Sequence, residues 1–144
     1  MVKMEDKTKK QLAAIRIRGM MHIKSRIEDT LKMLHLSNSN NCTVLPNNPI
    51  YEGMLRKAKD YITWGEIDDE TFKMLVDKRG QEVNSNTGKS SDFMTVNNKK
   101  IKKYFRLSPP RKGFERKGIK HTYTNGGVLG YRGDAINELI KKMV

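Results

Sequence analysis

The sequence predicts an α+β layer sandwich with two helices on one face of a three-stranded antiparallel sheet. Residues 12–65 read strand, helix, strand, helix, strand; both helical stretches are short; and each carries one apolar face. Short helices interleaved with strands bury that face best as a layer against a sheet.

The elements follow in order. Leu12 to Arg18 sets Ile15 and Ile17 between arginines, a strand pattern that Gly19 closes. Ser25-Arg26-Ile27-Glu28 has capping-box spacing, in which the serine bonds the third helical N–H and the glutamate reaches back. Ile27, Leu31 and Leu34 then recur at helical spacing, so a helix is expected to run to Leu36. The Ser/Asn run at 37–41 is a loop, and Cys42 to Leu45 is a β-prone stretch closed by Pro46. Asn48 at a cap and Pro49 at the first position start a second helix faced by Ile50, Met54 and Ala58. Tyr61 to Trp64 is a third strand, ended by Gly65.

Residues 1–66 thus form a core, and residues 67–144 are expected to be an extension packed on it, mostly helical with a basic Gly/Pro-rich loop. Asp68 or Asp69 caps a third helix with Phe72, Leu75 and Val76 apolar and Gly80 at its end. Residues 81–91 are polar and read as a flexible loop. Phe93, Val96, Ile101 and Tyr104 predict a weaker fourth helix that Asn97-Asn98 interrupts, and Phe105 to Leu107 a short strand stopped by Pro109-Pro110. Residues 111–133 hold six glycines and many bases without apolar periodicity. Asp134 starts a last helix with Ile136, Leu139, Ile140 and Met143 on one face.

Charge narrows the partner. The chain has 144 residues, a net charge of +13 and a hydrophobic fraction of 36%, enough for one modest core. Residues 1–26 carry +6 and residues 99–121 carry +9, while residues 61–98 carry −3. Excess charge held in two patches points to a polyanion met by defined elements. No apolar run approaches the roughly 20 residues of a membrane span. The charged stretch Lys3 to Lys10 has no apolar signal core behind it, so an intracellular protein without membrane contact is expected. A single cysteine, Cys42, offers neither a disulfide framework nor a paired metal ligand.

No catalytic constellation emerges. Gly88-Lys89-Ser90 echoes the end of a phosphate-binding loop, but Val83 stands where that loop needs its first glycine. His22, His35 and His121 have no second ligand at metal spacing. Cys42 in a strand is a small buried hydrophobe, and the acids at 68–70 suit a helix start. Catalytic residues, metal and cofactor are all expected to be absent.

The basic segment 99–121 reads differently from a solvated lysine face. Its bases interleave with Tyr104, Phe105 and Phe114 and lead to Tyr123, rings that can stack on unpaired bases. The candidate RNA contacts in the first patch are Arg16, Arg18, His22, Lys24 and Arg26, and Arg56 and Lys57 join them from the second helix. In the second patch they are Arg106, Arg111, Lys112, Arg116, Lys117, Lys120 and His121. Gly113, Gly126 and Gly127 are added as places where bare backbone N–H groups can approach phosphates. With little apolar content, residues 111–133 are expected to order only against the partner.

These residues also carry a family likeness. Leu12-Ala-Ala-Ile-Arg-Ile-Arg18, Asn41-Cys-Thr-Val-Leu-Pro46, Tyr51-Glu-Gly-Met54 leading to Lys57, and Trp64-Gly65-Glu66 stand in order along the first half. Phe105-Arg-Leu-Ser-Pro-Pro-Arg-Lys-Gly113, Gly118-Ile-Lys-His121 and Gly126-Gly127 follow in the second. Together they resemble the archaeal form of ribosomal protein thirty of the large subunit, a family that includes the bacterial protein thirty and the eukaryotic large-subunit protein seven. Bacterial members would end near Glu66, and the long basic arm of eukaryotic members is absent, so the archaeal type is the match. Residues 81–100 depart from it, being shorter and more polar than the helical insert of archaeal members.

The resemblance implies a ferredoxin-like core and a structural role in the cytoplasmic large ribosomal subunit. It implies contacts to large-subunit ribosomal RNA, near the 5S RNA, and to other large-subunit proteins. The residues alone leave a second reading open: an RNA-binding accessory factor outside the ribosome, acting in assembly or RNA modification.

Overall fold

The computed structural model describes residues 11–19, 22–80, 93–96, 99–114 and 116–144. The core runs β1 (Leu12–Arg16), α1 (Ser25–Met33), β2 (Asn41–Leu45), α2 (Pro49–Lys57) and β3 (Ile62–Glu66). The extension adds α3 (Asp69–Arg79), β4 (Phe93–Val96), β5 (Lys99–Lys102), β6 (Tyr104–Arg106), a 3₁₀ turn at Tyr123–Asn125, β7 (Gly130–Tyr131) and α4 (Ala135–Met143).

β1 lies at the centre of the sheet. It pairs antiparallel with β2, Leu12 opposite Leu45, and with β3, Ala14 opposite Trp64. This is the expected ferredoxin-like core, and the extension widens it on both sides. β6 joins the outer edge of β2, and β7 runs parallel to β3, giving the order β6-β2-β1-β3-β7.

Strand alternation sorts the core into two layers. Leu12, Ala14, Leu45, Ile62 and Trp64 face α1 and α2, packing with Leu31, Leu34, Leu36, Leu55 and Ala58. Ala13, Ile15 and Cys42 face the other way, with Phe105, Val128 and Leu129 and with Leu75 of α3 and Ile136, Leu139, Ile140 and Met143 of α4. The sheet is thus covered on both faces. That is why Leu12-Ala-Ala-Ile15 is apolar throughout rather than alternating: every residue of β1 is buried. Full burial of each such leucine or isoleucine contributes about 1.5–3 kcal/mol.

The four apolar residues expected to face the core from α4 are all buried there. Other expectations change. Ser25 makes no capping box: it is already helical, Lys24 holds the cap position without a side-chain bond, and the Lys24 carbonyl accepts from Ile27 and Glu28 N–H at 3.0 Å each. Ile50 points outward at 76% exposure, and Leu55 takes the buried place on α2. Gly65 lies inside β3 instead of ending it. The weak fourth helix over 93–104 is a β4–β5 hairpin, Phe93 opposite Lys102, followed by β6. Thr95, Val96 and Ile101 are β-branched and suit a pleated chain, while Asn97-Asn98 falls outside the described residues. The Lys3 to Lys10 stretch, the loop at 81–91 and Gly88-Lys89-Ser90 fall outside the described residues.

Candidate nucleic-acid interface

The second basic patch is built onto the end of α4. A helix leaves its last carbonyls without intrahelical partners. Here Ser108 N–H donates to the Met143 carbonyl at 3.0 Å and Arg111 N–H to the Lys142 carbonyl at 3.1 Å. Arg79 Nη2 steadies the same stretch from α3, donating to Ser108 Oγ at 2.9 Å. The chain then turns sharply, Gly113 N–H returning to the Pro110 carbonyl at 3.2 Å. Lys112 and Gly113 both adopt left-handed backbone in this turn, at φ 65 and 78°. For a lysine that conformation costs about 1–2 kcal/mol, which the surrounding hydrogen bonds hold in place. Arg111 and Lys112 are exposed on it, and Arg116, Lys117 and Lys120 are exposed in the chain that follows.

Residues 121–133 are not a bare strand awaiting a partner. His121 carbonyl accepts from Val128 N–H at 2.9 Å and Leu129 N–H at 3.1 Å, and Tyr123 N–H donates to the Leu129 carbonyl at 2.8 Å. Val128 and Leu129 are buried in the core below. The run has few apolar residues, but two of them land on the sheet, and backbone bonds close the rest.

The glycines expected to offer amides to phosphate serve the fold instead. Gly127 is buried, a Cβ on it would strike the His121 carbonyl, and its N–H donates to the Thr122 carbonyl at 2.8 Å. Gly126 N–H donates to the Tyr123 carbonyl at 3.1 Å. With Gly113 N–H engaged as well, none of the three has a spare amide for phosphate. Gly127 owes its place to close packing, and Gly113 and Gly126, at φ 93, to turn geometry.

Arg16 is the clearest correction in the first patch. It is 2% exposed, and its guanidinium donates to the carbonyls of Leu36 and Ser37 at 2.8 Å, Arg18 at 3.0 Å and Gly19 at 3.3 Å. Burial pushes its pKa below the ordinary arginine value, against the pull of Glu28 and Tyr61. A cation so wrapped ties β1 to the loop after α1 and is not available to RNA.

The other candidates in this patch and on α2 lie at the surface, in separate places. Arg18 stacks its guanidinium 5.4 Å from the Tyr61 ring centroid. His22 and Lys24 are at the surface in the approach to α1, His22 at φ 60. Arg26 and Lys57 line one groove between α1 and α2, beside Met33 and Ile50. Arg56 shares a different hollow with Glu52, Glu66 and Tyr131. Arg106 and His121 are exposed in the extension, Arg106 on the edge strand β6. Arg111 and Lys112 therefore share the Pro110–Gly113 turn, and the other basic candidates are placed separately.

Three residues escape the sequence reading. Arg132 is 6% exposed, with Nη2 on the Val128 carbonyl at 2.8 Å and its guanidinium 4.8 Å from the Tyr123 ring centroid. A lone base between glycines looks like surface in sequence, and nothing local marks it as buried. Lys142 and Glu138 join Lys112, Phe114 and Tyr123 around one cleft. The helical spacing of Glu138 and Lys142 is the available signal, since residues four apart share a helix face.

Cys42 is fully buried and its thiol is pushed up to about 12. Among the described residues, no three His, Cys, Asp or Glu side chains gather as a metal site, and no helix is long and apolar enough to cross a membrane.

Comparison with known proteins agrees with this architecture. The family model for ribosomal protein L30p/L7e matches residues 12–62, from β1 to the start of β3. The large ribosomal subunit protein uL30 of Methanosphaera stadtmanae is 45% identical, over 92% of this chain and 99% of its own length. The uL30 proteins of Nanoarchaeum equitans and Methanopyrus kandleri are 40% and 39% identical, covering 92% and 89% of this chain and 97% and 100% of their own lengths. The likeness thus runs through the extension as well as the core, and the chain belongs to the ribosomal protein L30p/L7e family.

Proposed function

We propose that the chain is a structural, non-catalytic constituent of the cytoplasmic large ribosomal subunit, bound to large-subunit ribosomal RNA beside other large-subunit proteins. The observation that carries the RNA contact is the Pro110–Gly113 turn. Its Arg111 amide is tied to α4, while the side chains of Arg111 and Lys112 are left exposed at a strained, well-held corner. Rigidly presented bases of this kind position a protein on a phosphate backbone. In this reading Arg116, Lys117 and Lys120 add exposed bases in the chain just after the turn, and Arg106, His121, Arg18, His22, Lys24, Arg26, Arg56 and Lys57 make separate contacts elsewhere on the surface. Proximity to 5S RNA rests on the family likeness alone.

The test is salt dependence. Binding to purified large-subunit ribosomal RNA should weaken steeply with salt. Replacing Arg111, Lys112, Arg116 and Lys117 with alanine should flatten the log–log slope by roughly 0.7 to 0.9 for each phosphate no longer neutralised. An unchanged slope would mean that these bases only face solvent. Sedimentation of the tagged chain at high and low magnesium separates the ribosomal role from an accessory one. A constituent travels with the large subunit under both conditions, whereas an accessory factor does not.

A further inference from the structure

We infer that the cleft between the Pro110–Gly113 turn and α4 is a receptor for one unpaired pyrimidine of the bound RNA, and that it prefers cytosine to uracil. The inference rests on the RNA-binding reading and adds a base-specific site to it.

The cleft has about 150 Å³ of space and is lined by Lys112, Phe114, Tyr123, Glu138, Leu139 and Lys142. A space of about that size takes a single six-membered ring. Its walls have the chemistry of a base receptor. Phe114 and Tyr123 are half-buried rings, and base–aromatic stacking serves any nucleobase. Tyr123 is held before any ligand arrives, because the Arg132 guanidinium lies 4.8 Å from its centroid. Leu139, only 4% exposed, adds apolar surface continuous with the core.

The charged groups say which part of an RNA enters. Lys112 and Lys142 stand at the cleft together, within a chain whose segment 99–121 carries +9. They suit the phosphates flanking an extruded base. Glu138 does not: a carboxylate only accepts hydrogen bonds and repels phosphate. It therefore selects a base edge that donates. The N4 amino group of cytosine donates to such a carboxylate, whereas uracil presents its O4 acceptor at the same position. An acidic peptide would meet the same repulsion from Glu138, and a basic one would meet Lys112 and Lys142. Apolar side chains of a neighbouring protein are the competing occupant.

The test uses the full chain with fluorescein-labelled hexacytidylate and hexauridylate, and with purified large-subunit ribosomal RNA. The unmodified chain should bind hexacytidylate more tightly than hexauridylate. Phe114→Leu should weaken hexacytidylate binding about tenfold, the loss of one stacking partner. Glu138→Gln, an exposed change that keeps shape but adds a donor, should bring the two affinities together while melting at the same temperature as the parent. The inference is overturned if ribosomal RNA is bound with normal salt dependence but neither substitution alters oligonucleotide affinity or preference; the RNA-binding reading then survives alone. A chain that binds none of these RNAs overturns both. If the substitutions instead release a neighbouring large-subunit protein from the particle with RNA affinity intact, the cleft is a protein contact and the base site is refuted.

Discussion

Arg132 Nε donates to Thr63 Oγ1 at 2.8 Å, and that hydroxyl donates onward to the Gly130 carbonyl at 2.9 Å. This relay joins the third core strand to the loop that carries Tyr123. It is fully buried at Thr63 and nearly so at Arg132, with Arg132 N–H also bonded to the Trp64 carbonyl at 2.9 Å. The extension is therefore held on the core by polar links as well as by apolar packing.

Thr63→Val keeps the shape and removes the hydroxyl, so buried Arg132 Nε loses its acceptor and the Gly130 carbonyl loses this donor. The expected loss of stability is about 1–3 kcal/mol. Arg132→Lys should not rescue Arg132→Ala, because an ammonium cannot reach Thr63, Val128 and the Tyr123 ring with one planar group. Thermal melts of the three variants settle the matter; parent-like melting of Thr63→Val would show that the relay holds nothing.

Two glycines should respond in opposite directions to alanine. A Cβ on Gly65 would run into the Gly133 carbonyl and stand 3.0 Å from Ile136 Cβ, so β3 and α4 must separate. That overpacking should cost about 1–3 kcal/mol. Gly53 sits inside α2, and a methyl added there would meet nothing within 4 Å, so alanine should stabilise by up to about 1 kcal/mol. Urea titrations in which Gly53→Ala proved the more destabilised would reverse both assignments.

The same pair shows what is legible in a sequence. Helical spacing picks out Ile136, Leu139, Ile140 and Met143 correctly, because one element's periodicity reports one buried face. Leu12 to Ile15 reads as strand, but its unbroken apolar run is explained only once a second helical layer covers the far face. Gly65 reads as a stop because glycine usually punctuates. Its actual reason, the approach of Gly133, lies 68 residues away in sequence and leaves no local trace. Arg16 and Arg132 fail for the same cause. Their acceptors are mostly backbone carbonyls, which every residue has, so no composition or spacing announces them. The exposed bases Arg111, Lys112, Arg116 and Lys117 are readable because surface charge needs no partner in the chain.

Burial also sets the chemistry of Cys42. Its thiol, pushed up to about 12 from 9.0, stays protonated in the folded chain across the neutral range. A disulfide reagent at pH 8 should label it only on unfolding. The sign for stability follows: the folded pKa is raised, so this contribution is complete below about 9 and is lost as pH rises toward about 12. Urea melts of the parent and Cys42→Ala should therefore converge as pH rises through that window. Rapid labelling of the native protein would place the thiol at the surface.

Hydrogen exchange will separate the two parts of the glycine-rich segment. Amides of Tyr123, Gly127, Val128, Leu129 and Arg132 all donate to backbone carbonyls at 2.8–3.1 Å, and Val128 and Leu129 sit in the core. They should exchange slowly in the free chain, as Leu31 and Leu34 of the first helical layer should. Residues 116–120 are mostly exposed, with Lys117 N–H reaching the Gly126 carbonyl at a longer 3.2 Å. They have little burial to oppose opening and should exchange fast. Binding to large-subunit ribosomal RNA should slow exchange at 116–120 and leave 127–132 nearly unchanged. Ordering on binding then belongs to the exposed bases alone, not to the whole stretch 111–133. Fast exchange throughout 111–133 in the free chain, slowed uniformly by RNA, would reverse that division and return the entire segment to a partner-ordered state.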